Sequence, residues 1–175
     1  MTLPHDDRFL GLYLNDHLAG ATAGTELAKR LAGENKDRPG GQALAGLANE
    51  VGEDRAALLA VMATLDVPVR RYKEVLGWVG EKAGRLKLNG RVLGRSPLSQ
   101  VVGLEAMLLG IEGKAALWRT LRARAASDAR LAVGGFDILI GRAREQAELV
   151  ESLRARAAAE AIGGDVTEAV EPEQG

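Results

Sequence analysis

Apolar residues recur at spacings of three and four along most of this chain, and no segment alternates with the period of two that marks a strand. The spacing predicts a first helix over about residues 7–32, with Leu10, Tyr13, Leu14, Ala21, Ala28 and Leu31 on one face. A Gly- and Pro-rich run over 33–41 ends it. A second helix is predicted over 42–65, carried by Leu44, Leu47, Val51, Leu58, Val61 and Leu65 and stopped by Pro68. A shorter one is predicted over 69–86, with Tyr72, Val75, Leu76, Val79, Ala83 and Leu86 sharing a face and Trp78 off it. Ser96 and Pro97 form a start signal for a helix reaching about residue 124. Its expected inner positions are Val101, Leu104, Leu108, Leu109, Ile111, Ala115 and Trp118. The last helix is predicted from Ser127–Asp128 to Ile162, with Leu131, Ile138, Leu139, Leu149, Val150 and Leu153 inward and a kink at Gly134–Gly135.

Four long helices and one short one describe an all-α bundle: two helical hairpins joined by a long crossover that carries an extra short helix. One long crossover between two hairpins is the connectivity of ferritin-like bundles. In helix order and length, over about residues 7–162, the chain resembles the ferritin-like superfamily. It is most similar to a bacterial branch with an added crossover helix. One domain is expected over residues 1–164, followed by an acidic, disordered tail over 165–175 with four acids and no base.

The di-iron pattern of that superfamily takes a Glu from each of two helices and a Glu-x-x-His from each of the others. The only histidines here are His5 and His17, and neither comes three residues after a Glu. Both Glu-x-x-His motifs are missing, and a standard di-iron centre is not expected. Polar groups nonetheless fall on the apolar stripes. His17 lies between Leu14 and Ala21, Asp54 between Val51 and Leu58, Glu105 and Glu112 near the inner face of their helix, and Arg142 at the inner edge of the last. A charge buried alone costs several kcal/mol, so such groups meet partners. One reading is a buried ion-pair cluster in place of metal, pairing Arg142 with Glu105 or Glu112 and His17 with Asp54. It makes the chain a non-catalytic bundle. The second is a divergent divalent-metal site, or a metal-dependent enzyme, using His17, Asp54, Glu105 and Glu112. The third is that the helical phase is off by one position and some of these groups reach water. Gly20 and Gly24 on the first helix point to close helix packing or to a void that admits a ligand, since each costs about 1 kcal/mol against Ala.

Composition narrows the choice. The chain has no Cys, which removes disulfides and thiol chemistry. Its net charge of −1 gives no global attraction to nucleic acid. The exception is residues 68–96, with eight bases and two acids. Arg70, Arg71, Lys82, Arg85, Lys87, Arg91 and Arg95 there are a solvated face, or a patch for an acidic partner or nucleic acid. Thin aromatic interleaving disfavours nucleic acid, and no phosphate-loop spacing is present. No membrane span or secretory signal is visible, so a cytoplasmic protein is expected, as a homo-oligomer or with a protein partner.

Overall fold

The computed structural model describes residues 5–70 and 97–163, and among these it contains four helices and no strand. We number them α1 (His5–Glu34), α2 (Gly41–Thr64), α3 (Pro97–Arg124) and α4 (Val133–Ile162). The extra crossover helix expected over 69–86 and the tail at 165–175 lie outside the described residues.

Side-chain contacts fix the helix directions. The Tyr13 hydroxyl donates to Thr120 Oγ1 at 3.3 Å, and Leu31 packs on Gly103, so α1 and α3 run antiparallel. Arg55 Nε donates to Thr22 Oγ1 at 3.0 Å, tying α2 antiparallel to α1. Gln146 bonds Glu50 while Leu153 lies against Gly40, so α4 is antiparallel to α2. Arg122 pairs with Asp137 across the α3–α4 hairpin. Helices α1 and α4 therefore point one way and α2 and α3 the other. The chain between Thr64 and Pro97 connects opposite ends of the bundle.

Helix ends explain the chain's punctuation. Asn35, buried, donates from Nδ2 to Leu31 O at 2.8 Å and closes α1. Gly40 then takes φ 90°, a left-handed conformation that side chains disfavour. At the end of α2 the Val67 amide donates to Met62 O at 2.9 Å and the Asp66 amide to Ala63 O at 3.2 Å. This is a Schellman closure with Asp66 left-handed at φ 56°. The stop is thus made two residues before Pro68. Asn15 pins the backbone leaving α2: its Nδ2 donates to Gly11 O and Pro68 O, and its Oδ1 accepts from the Arg70 amide at 2.9 Å.

Three expectations are corrected. Helix α4 starts at Val133 rather than Ser127–Asp128, because Asp128 is held in the preceding turn by Arg130 and Arg124. The Arg130 hydrogen bond is the main reason the Asp128 carboxyl falls to about 2. Gly134 and Gly135 consequently sit in the first turn of α4, not at a mid-helix kink. Leu109 and Ile138, expected inside, are 76% and 73% exposed. The buried line of α4 is instead Phe136, Ala143, Gln146, Val150, Leu153 and Ala157.

The core has two apolar clusters. One gathers Leu31, Leu47, Val51, Leu104, Ile111 and Val150, and the other Leu14, Leu58, Met62, Leu117, Trp118 and Phe136. Trp118 faces Phe136 with ring centroids 6.3 Å apart. Cutting any of these leucines to Ala costs about 2–5 kcal/mol.

Two substitutions test the backbone account. Gly40→Ala must adopt a left-handed conformation and would press its Cβ to 2.7 Å from Leu153 Cδ2. It is expected to lower unfolding stability by about 1–2 kcal/mol in urea titration. Asp66→Gly removes the side chain from the same conformation and should raise stability by about 0.5 kcal/mol.

Candidate functional site: a charged layer and the cleft beside it

Three helices each place a polar residue where the stripe calls for an apolar one. On α2, Asp54 falls between Val51 of one apolar cluster and Leu58 of the other. On α3, Lys114 lies three residues after Ile111 and three before Leu117. On α4, Gln146 lies between Ala143 and Val150. The three meet in the interior. Lys114 Nζ donates to Asp54 Oδ2 and to Gln146 Oε1, and Arg142 Nη2 donates to Asp54 Oδ1. Gln146 Nε2 completes the set, reaching Asp54 Oδ2 at 3.3 Å and Glu50 Oε2 at 2.9 Å. Arg142 also reaches the exposed Glu53 at 2.8 Å.

Both Asp54 oxygens are therefore engaged, Oδ1 by Arg142 and Oδ2 by Lys114 and the Gln146 amide. The Asp54 side chain is only 3% exposed, Lys114 14% and Arg142 24%, so the layer dries out from its edge to its centre. Pairs this deep gain little net stability over an apolar core, but removing one partner strands the other. Burial pulls the Lys114 ammonium below its usual range of about 10.5, and Asp54 beside it only partly restores it.

The residues singled out from sequence separate into three groups. Asp54 and Arg142 come together, with each other. Arg142 meets neither Glu105 nor Glu112: both glutamates are exposed, one position past the buried Leu104 and Ile111. One position is about 100° on a helix, enough to carry a side chain from core to water. Leu109 drew the expected inner face toward them. His17 is half-buried and packs edge-on against Tyr13, ring centroids 4.5 Å apart. Burial lowers its pKa from 6.5, against the pull of Asp16. It has no bond to Asp54. The metal set of His17, Asp54, Glu105 and Glu112 is thus not assembled, and no three His, Asp or Glu side chains gather to hold a metal among the described residues. Of the basic patch only Arg70 is described, and it is exposed; Arg71, Lys82, Arg85, Lys87, Arg91 and Arg95 lie outside the described residues.

Lys114, Gln146, Glu50 and Glu53 were not anticipated. Lys114 and Gln146 interrupt apolar series at the same three- and four-residue spacings that exposed Asp54. Testing every polar residue against those series would have found them.

Beside the layer a cleft of about 340 Å³ opens between α1 and α3. Gly20 and Gly24 form one wall, Gly110 and Gly113 the other, and Val51, Asp54 and Leu58 of α2 the floor. At each of those four glycines an added Cβ would meet nothing within 4 Å, so the space is real and not closed by backbone contact. Void replaces the tight packing that paired glycines otherwise permit. Lys114, His17, Arg55 and Trp118 also line it.

Removing the carboxylate should expose the cost of the layer. Asp54→Ala leaves Lys114 and Arg142 facing each other in a dry site and is expected to cost about 3–5 kcal/mol in chemical denaturation. The charge of Lys114 also sets a pH dependence. Its folded pKa lies below the unfolded value, so between the two the unfolded chain binds more protons and stability rises with pH. Relative to Lys114→Met, the wild type should gain stability as pH climbs from the lowered folded pKa toward 10.5. A difference that shrinks over that range would contradict the assignment.

No family model matches the chain, and neither a curated protein nor a solved structure shows detectable similarity to it.

Proposed function

We propose that the chain is a ferritin-like bundle without catalytic activity, in which salt bridges hold the interior level that metals occupy in that superfamily. The observation that carries this is the pairing of both Asp54 oxygens with cations, Lys114 and Arg142. Two fixed cations at the centre of the layer repel a divalent ion, and each oxygen of the carboxylate is already bonded to one of them. The helix directions support the ferritin-like part: α1 and α4 run one way, α2 and α3 the other, and a long connection joins the hairpins. A self-associated or partner-bound state belongs to the same proposal. Leu98, Val102 and Leu109 are exposed along one side of α3, with Glu105 among them, and supply apolar surface for such a contact.

Metal analysis tests the core of it. Full-length protein produced in medium supplemented with iron, manganese and zinc, then desalted, should carry no stoichiometric metal. One or more tightly bound ions per chain would overturn the proposal.

A further inference from the structure

The α1–α3 cleft has features that a packing defect lacks. Its volume, about 340 Å³, lies at the lower end of the range for small-molecule sites. Its walls are mostly apolar, from Leu27, Met107, Ile111 and Leu117. Its polar groups are mainly donors. Lys114 has three N–H bonds and spends them on two described acceptors, Asp54 and Gln146. Arg55 gives its Nε–H to Thr22 and has no carboxylate partner among the described residues. His17, held toward its neutral form by burial, still carries one ring N–H. Trp118 lines the cleft too, but its indole Nε1 is buried beneath the surface, with no acceptor among the described residues. Against these donors stand two acids. Asp54 is already paired with Lys114 and Arg142, and Asp16 is exposed at the rim.

We propose that this cleft binds a small amphipathic carboxylate, its chain lying between the glycine walls and its head held by Arg55 and Lys114. Apolar walls with a few convergent polar groups are the usual makeup of such sites. A guanidinium matches a carboxylate in shape and charge, and an apolar setting strengthens the pair. The four glycines have a direct role: at these positions any larger side chain would extend into the space the ligand needs. The inference rests on the non-catalytic reading only in treating the layer as a fixed donor rather than a reacting centre. Metal analysis and ligand titration report on the two separately.

Calorimetric titration of the full chain with decanoate, decan-1-ol and decyltrimethylammonium provides the test. Decanoate should bind with one site per chain, decanol about tenfold more weakly, and the ammonium compound weakest. Arg55→Gln should weaken decanoate about tenfold and leave decanol unchanged. Gly110→Leu, which builds into open space and improves helix propensity, should abolish binding of both while the thermal unfolding midpoint holds or rises. If Gly110→Leu does not fold, Gly20→Leu fills the opposite wall and serves instead. Decanoate that fails to bind, that binds no better than decanol, or that binds the filled variants as well as wild type would each overturn the proposal.

Discussion

A carboxylate in the middle of a helical bundle has to be neutralised, and much of the interior depends on how Asp54 meets that demand. Water cannot supply the counter-charge at 3% exposure. Cations must therefore come from other helices, and they come from α3 and α4. Each brings a long aliphatic stem that fills core space as it delivers its charge. Gln146 then accepts a second bond from the ammonium and hands the network on to Glu50. Three helices are fixed in relative height by one side chain. A slip of one helical turn in α2 against α3 and α4 would break the bonds that Asp54 makes to both.

The layer also separates the apolar interior into two clusters. On α2 the boundary is Asp54 itself, with Val51 on one side and Leu58 on the other. Buried polar groups of this kind add little net stability, and their best-attested service is to fix register. That service matters in a bundle whose stripes are built mainly from Leu, Ala and Val. Such stripes can pack in more than one register, whereas Asp54, Lys114, Arg142 and Gln146 fit in only one. The cleft is a consequence of the same arrangement. The layer fixes α2 against α3 and α4, while α1 meets α3 across paired glycines and leaves space between them.

Much of this architecture was legible in the chain. The number of long helices, their approximate limits and the stops at 33–41 and 65–68 come from spacing and from Gly and Pro. Asp54 and Arg142 stood out because a charge on an apolar stripe is expensive, and that reasoning applies before any fold is known. It failed for Glu105 and Glu112, where Leu108 and Leu109 broaden the apolar arc of α3 beyond the face that packs. The start of α4 was missed for a related reason. Asp128 resembles a capping residue, but its arginine neighbours draw it into a turn that ends before Val133.

Local sequence, through helix propensity and the period of apolar residues, determined that this chain forms helices and which residues are candidates for the interior. Tertiary packing decided which candidates meet. A helical stripe gives direction only to within the angle between adjacent positions, about 100°, and contains no information about the partner helix. Whether Arg142 answers Asp54 or Glu112, and whether Gly20 and Gly24 close on a neighbour or stand back from it, depends on distances between segments far apart in the chain. Those distances are fixed only when all four helices pack at once.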